Sequence, residues 1–431
     1  MSSEAPEPVA PPSGSRAGRW VRRVAVDLTP LRVSRDFRRL WVGLLITGLG
    51  YQFTLVAIFV QVFTITRSAA AVGLIGLVGL VALALGTLVG GAFVDAYDRR
   101  STLVAAQCVY LAAAGLLLVA TLRGDPPVWI VYVAVAMISA QSAIDSPVRA
   151  AMAPRLIGRD LLPSAAALNQ VVFNATALLG PAIGGLVISR FGLTWAYGLD
   201  LASSVVMLLV ALALSPMPPD RAAGAPTGWR AAREGFAYLR GRPVLQSTFA
   251  IDVLAMVFGL PRALFPILAV SQFHRSVAIV GLLFAAPAVG ALLGALTTGW
   301  VRHVRHQGRA VIVAVALWGV GITAFGLVGD RLWLGLVFLA FAGGADVISA
   351  VFRNTILQLS VPDALRGRLS QIHILVVAGG PRLGDLEAGL VASAFSPTVS
   401  VLSGGILSIA GAVLVAWLVP SFRRYHAGES A

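Results

Sequence analysis

The sequence contains no lysine: all 33 of its basic residues are arginine. It has one cysteine, Cys108, and five histidines. A single thiol excludes an intramolecular disulfide, and no Cys/His spacing suited to a metal centre occurs. Charge is also scarce. Charged residues make up 12% of the 431 positions and hydrophobic residues 58%, with a mean hydropathy of +0.85. A soluble domain carries roughly twice that charge, so a soluble globular protein is excluded. The GxxxxGK[ST] loop that cradles nucleotide phosphates is missing, which removes ATP hydrolysis within this chain. Also missing are a Gly-x-Ser-x-Gly elbow, a zinc-ligand pair and paired catalytic aspartates on facing apolar segments. No enzyme, no metal and no cofactor is expected. Met1–Gly18 is polar and rich in Pro, Ser and Ala, without the apolar core of a secretory signal.

What is abundant is apolar sequence in runs of bilayer length. Twelve spans are expected at about 40–64, 70–93, 103–122, 127–150, 165–189, 194–215, 244–273, 277–300, 310–329, 332–358, 370–395 and 398–419. The 45 glycines and many alanines suit close helix packing in lipid. The fold class expected is an all-α polytopic membrane protein with twelve transmembrane helices in two pseudo-symmetric six-helix halves. Residues 1–38 read as a disordered basic arm, 39–215 and 244–420 as the halves, and 421–431 as a tail. Residues 216–243 read as a linker with an amphipathic helix, in which Trp229, Ala232, Phe236 and Leu239 share one face.

The net charge of +14 raises nucleic acid as a partner, but its placement argues against one. Most arginines fall at one side of the expected spans. Five lie in opposite-side loops (Arg67, Arg123, Arg190, Arg275, Arg331) and three inside spans (Arg262, Arg353, Arg382). That asymmetry is the positive-inside pattern. It predicts an inner-membrane protein with both termini in the cytoplasm, whose partners are the bilayer, a small molecule and protons. A monomer is expected.

Two features organise the chain. Gly90–Leu103, GGAFVDAYDRRSTL, puts Asp95, Asp98, Arg99 and Arg100 in a tight turn between two apolar spans. The second is repetition. SPVRAAMAPRLIGRDLLPSAAALNQ at Ser146–Gln170 has a counterpart in AVFRNTILQLSVPDALRGRLSQ at Ala350–Gln371, aligning Arg149 with Arg353. GPAIG at Gly180–Gly184 likewise matches GPRLG at Gly380–Gly384. Two ordered matches indicate a 6+6 duplication, an architecture in which substrate binds between the halves.

The spacing of Gly91, Asp95, Arg99 and Arg100 resembles the loop motif between helices 2 and 3 of major facilitator superfamily (MFS) transporters. It departs from that motif at Asp98 and Ala96. The resemblance implies a cytoplasmic gate of Gly91, Asp95, Asp98, Arg99 and Arg100, joined by Asp145, Arg149 and Arg353; the alternative is a plain positive-inside turn. Gly180, Pro181, Gly184 and Gly185 are similar to the end of the helix-packing motif of drug-exporting members, with Thr176 where that motif has glycine. FRRLWVGLLITGLGYQ, DSPVRAAMAPRLI, REGFAYLRGRPVLQ and GGPRLGDLEAGLVA carry the likeness further. Together they resemble the enterobactin-exporter branch, the transmembrane secretion effectors, and its macrolide-efflux relatives. The resemblance implies export of a small amphipathic molecule, a siderophore or a drug, driven by protons. Many members have an acid where this chain has Tyr51-Gln52.

Ionisable residues inside spans are costly and are functional candidates by default. Asp385, Glu387, Asp346 and Asp252, with Arg382 and Arg262, are the proton-coupling candidates. Arg382 and Asp385 are i,i+3 neighbours able to pair, and Asp346 and Arg353, seven apart, share a helical face. Each acid has the alternative of a structural ion pair with an intramembrane arginine. Tyr51, Gln52, Gln141, Gln170 and Asn174 are cavity candidates, able to bond a polar substrate or one helix to another. Two rival functions stay open: a proton-independent facilitator or importer, and a transport-inactive scaffold or sensor.

Overall fold

The computed structural model describes residues 27–124, 126–218 and 237–426, with the side chains of some helical residues, among them Asp95, outside that description. The chain is built from helices: α1 (Thr29–Val33), α2 (Arg35–Thr66), α3 (Ala69–Ala96), α4 (Arg99–Leu122), α5 (Val128–Ile157), α6 (Leu162–Phe191) and α7 (Leu193–Ala213), then α8 (Pro243–Phe258) and α9 (Phe265–Ser271). They are followed by α10 (Ala278–Leu296), α11 (Gln307–Leu327), α12 (Leu332–Ser360), α13 (Asp363–Ala394), α14 (Pro397–Leu418) and α15 (Pro420–Arg424). Among the described residues there is no strand, only an isolated bridge between His306 and His426.

Eleven helices, with α8 and α9 taken together, are long and apolar enough to cross a membrane. The twelfth, α13, has 32 residues and packs among them, its apolar run interrupted by Arg382, Asp385 and Glu387. Twelve crossings return the chain to the end where it began. The helix boundaries follow local chemistry. Ser34, Asp98 and Ser396 cap α2, α4 and α14 by accepting from the backbone N–H three residues on. The one-residue connection between α6 and α7 is Gly192 at φ 85°, a conformation that suits glycine.

Each half repeats the same pairings. In the first, α3 crosses α5 where Gly86 meets Ala140, and α2 crosses α7 where Gly43 meets Met207. In the second, α10 crosses α12 where Gly290 meets Ala340 and Gly343 meets Pro287, and α8 meets α14 where Gly404 and Gly411 face Phe258 and Leu254.

The halves join along two glycine seams. On α3 and α13, a Cβ at Gly73 would stand 2.7 Å from the Asp385 carbonyl oxygen, and one at Gly389 2.8 Å from the Gly73 Cα. On α6 and α10, a Cβ at Gly185 would stand 2.8 Å from the Gly281 Cα, and Gly281 approaches the Pro181 carbonyl as closely. Backbones this near gain dispersion contacts that larger residues would block. Both seams lie toward the end of the bundle opposite the termini. Thr87, two turns beyond Leu80 on the α3 face that α13 covers, is exposed. Among the described residues the two seams therefore close the bundle at the end opposite the termini, while Thr87 is exposed toward the terminal end.

Three expectations change. Residues 29–38 are not a disordered arm: α1 starts at Thr29, and α2 enters its span at Arg35. The charged stretch after Gly90 is not all turn, since α3 continues to Ala96 and only Tyr97 and Asp98 separate it from α4. The seventh span is not continuous. It breaks at Gly259-Leu260-Pro261 and resumes through a 3-10 turn, Arg262–Leu264, into α9; Pro261 has no N–H to continue the ladder. The tail, for which no structure is expected, starts with a short helix, Pro420–Arg424. Residues 1–26 and most of the linker, 219–236, with Trp229, Ala232 and Phe236, lie outside the described residues.

Candidate functional site

The break in the seventh span sets the geometry of the midplane. It lifts Arg262 out of helical register and aims it at α13, where its Nη2 lies 2.7 Å from Asp385 Oδ2. The Asp385 side chain is 2% exposed and that of Arg262 26%. Arg382 and Asp385 do not form the expected i,i+3 pair. Arg382 turns back along its own helix and donates to the Ala378 carbonyl at 2.6 Å, and Asp385 faces the break. A Cβ built on Gly79 of α3 would lie 3.1 Å from both Arg382 Nε and the Ser139 hydroxyl of α5. Arg382 thus lies at the seam between the halves.

A second cluster sits deeper in the C-terminal half. Arg353 of α12, its side chain 4% exposed, lies 2.5 Å from Asp252 of α8 and 3.6 Å from Asp346 one helical stretch back. Asp346 is the open member, 31% exposed. Arg353, a gate candidate by resemblance, is enclosed by two acids of its own half. Asp252 and Arg262 share a span but belong to different clusters. Glu387 has no ion-pair partner among the described residues.

A third cluster marks the terminal end of the N-terminal half. Asp145 and Arg149 form an ion pair, and Gln107 donates to Asp145 at 2.9 Å. Arg99 donates to the Ala151 carbonyl at 3.0 Å and Arg100 to that of Leu212. Asp98 accepts from the Met217 N–H at 2.6 Å besides capping α4. These described bonds tie α4, α5, the end of α7 and the segment after it together, all within one half. The surroundings of Gly91 and the Asp95 side chain lie outside the described residues.

A cavity of about 490 Å³ runs between α2, α5 and α6. Phe37, Trp41, Arg149 and Phe173 line it, and Tyr51 and Gln52 stand at its deep end. Of the other cavity candidates, Gln141 is buried away from it, and Gln170 and Asn174 bond each other at 3.0 Å; Asn169 lines it in their place. Gly180 and Gly184 hold α6 against Gln52 and Phe53, while Pro181 and Gly185 form the seam with α10.

One buried acid escapes the sequence reading. Asp200 of α7 is 0% exposed. It accepts from the Thr54 hydroxyl at 2.6 Å and the Tyr110 hydroxyl at 3.0 Å, and no described cation pairs with it. As a lone acid within an expected span it carries the same signal as the other candidates. Among the described residues no group of three or more His, Cys, Asp or Glu stands close enough to hold a metal.

Twelve helices in two repeated halves, joined by small-residue seams around a polar centre, define a membrane transporter of the major facilitator fold. Solved structures share this arrangement. A point mutant of the nucleoside transporter NupG superposes with a TM-score of 0.73 at 13% identity, covering 89% of this chain and 100% of that one. A bacterial homologue of the iron transporter ferroportin in an inward-facing state gives 0.69 at 15%, covering 90% and 98%. The family profile described as transmembrane secretion effector matches residues 25–427, and the chain belongs to that family. The enterobactin exporters EntS of Citrobacter koseri and Shigella boydii are 27% and 28% identical to it over 404 and 405 residues, 93% of this chain and 96% of each relative. The chain is a transporter, not an enzyme.

Proposed function

We propose that the protein exports a small amphipathic molecule, a siderophore or a drug, by alternating access in exchange for protons. It acts as a monomer in a bacterial inner membrane with both termini in the cytoplasm. The observation that carries the reading is the pair of glycine seams, which join the halves toward the end opposite the termini, with a cavity walled by the N-terminal half on the other side. With the arginine-rich end in the cytoplasm, this is the loading state of an exporter. The relatives named as enterobactin exporters support the direction.

Proton coupling needs an acid that is neutral in one state and charged in another. Arg353 faces both Asp252 and Asp346, one positive charge against two negative. Unbalanced charge at membrane depth is costly, and one added proton neutralises the group. Asp346, the more exposed acid, is the carrier in this reading. Asp385 leads the candidates by sequence, but here it is committed to Arg262.

The test is proton flux in proteoliposomes holding a trapped pH dye, with a catecholate siderophore, a macrolide and a cationic dye as substrates. Substrate-dependent proton movement is expected, abolished in Asp346→Asn while downhill substrate movement persists. Substrate transport without proton movement in the unaltered protein selects a facilitator instead.

A further inference from the structure

We infer that Arg382, with Arg262 beside it, forms an anion-binding site at the seam between the halves, so that the transported molecule is an amphipathic anion bearing a carboxylate, acidic phenolate or sulfonate. The inference rests on the transporter reading but not on proton coupling.

The argument is one of charge and access. Arg262 and Arg382 share a single described acid, Asp385: Arg262 makes the ion pair, and Arg382 stands within its electrostatic reach. Two guanidinium groups against one carboxylate leave a positive charge at mid-bilayer depth. That imbalance is opposite in sign to the one at Arg353. A proton relieves the excess at Arg353; only an anion relieves the excess at Arg382. Arg382 satisfies one guanidinium nitrogen on the Ala378 carbonyl of its own helix, and a guanidinium has five N–H donors. Arg262 Nε is buried with no hydrogen-bond partner. One acceptor there, Asp385 Oδ1, is also without a partner, but two guanidinium groups bring more N–H donors than that single carboxylate and the Ala378 carbonyl accept.

Access comes from the cavity. Tyr51 lines its deep end and is 38% exposed. Arg382 Nε and the Ser139 hydroxyl of α5, a helix that walls the cavity, both stand 3.1 Å from one point, a Cβ built on Gly79. Gly76 and Gly79 of α3 let α13 come close there, since a Cβ on either would meet α13 at Arg382. A molecule resting its apolar part on Trp41 and Phe173 brings an acidic group past Tyr51 to Arg382. Because Arg382 and Arg262 belong to one half and the cavity wall to the other, such an anion touches both halves, which is what a transported substrate must do.

The test uses the full-length protein in lipid nanodiscs and two dyes of similar ring system and opposite charge, fluorescein and rhodamine 6G. Binding is read by fluorescence anisotropy against empty nanodiscs. Fluorescein is expected to bind saturably. Arg382→Gln should weaken it about tenfold or more, the size of a lost charge-assisted hydrogen bond, and Arg382→Lys should retain most of the affinity. Asp385→Asn removes the competing carboxylate and should tighten it. Rhodamine 6G should change by less than about twofold in all three variants. The inference is overturned if fluorescein does not bind, if Arg382→Gln and Asp385→Asn leave its affinity unchanged, or if both dyes shift together. Charge-selective binding in a protein that moves no fluorescein across proteoliposomes would sink the exporter reading and leave the site standing. Transport with charge-blind binding would sink the site alone.

Discussion

Asp200 and Asp385 are both buried carboxyl groups at membrane depth, and different partners stabilise them. Asp385 has a guanidinium at 2.7 Å; Asp200 has only hydroxyls, those of Thr54 and Tyr110, with Ser203 at 3.5 Å. Hydroxyl groups both donate and accept, so they serve an amide as well as a carboxyl. Asp200→Asn is therefore expected to leave thermal stability within about 1 kcal/mol of the original, and Asp200→Ala to cost about 2 to 4 kcal/mol, because two buried hydroxyls lose their partner. Thermal unfolding in detergent, followed by size-exclusion chromatography, checks this; equal melting of the two variants would refute the account. The residue scale is also where sequence reading is least complete. That Asp385, Asp252 and Arg353 lie inside spans follows from apolar runs around single charges. Their pairing does not follow, because Arg262 meets Asp385 across 123 positions and only at a backbone break. Helical periodicity relates neighbours on one helix; it says nothing about which face of another helix arrives opposite.

Among elements, the interrupted span between Pro243 and Ser271 is the most consequential, since it turns a helix into two pieces with a cation at the joint. The signal is present in the sequence as Gly259-Leu260-Pro261. Hydrophobicity averaged across the span hides it, because leucine and its neighbours keep the run apolar. Gly259 is required for a second reason. A Cβ there would stand 2.7 Å from the Ala255 carbonyl and 2.9 Å from the Ser408 hydroxyl, and closer still to the Trp318 indole nitrogen. Gly259→Ala should therefore destabilise the C-terminal half by about 1 to 3 kcal/mol through overpacking. It should also weaken substrate binding more than the equivalent change at Gly198, where nothing lies within 4 Å of the added carbon. Parallel melting and binding curves for the two variants decide this; equal effects at both positions would remove the special role of the joint. Helix count, order and the 6+6 repeat are legible because each span is an apolar run of bilayer length, the strongest signal a sequence offers. Helix ends are read less well: α2 and α3 continue several residues past the apolar limit, where Asp36, Asp95 and neighbouring arginines extend helices into the polar region.

For the whole molecule, the seams make a mechanical claim. Gly73 with Gly389 and Gly185 with Gly281 bring backbones together near the end opposite the termini, and Thr87 and Val377, toward the other end of α3 and α13, are exposed. If the halves rock as rigid bodies, distances at the two ends must change in opposite senses, because one pair of helices spans both. Spin labels at Thr87 and Val377 report the terminal end; labels at Arg67 and Phe395, beside the outer turns, report the other. Cys108 is the single native cysteine and is exposed, so a Cys108→Ser background removes unwanted labelling. In the resting protein the Thr87–Val377 distance should be long and the Arg67–Phe395 distance short. Gly281→Val introduces bulk where Gly281 meets Pro181 and Gly185, so the outer seam cannot close. That variant should lengthen the outer distance and shorten the inner one together, without substrate, and slow transport. An outer distance that lengthens while the inner one stays fixed would mean that the seam opens locally, and that the halves do not move as the two rigid bodies their duplicated packing suggests.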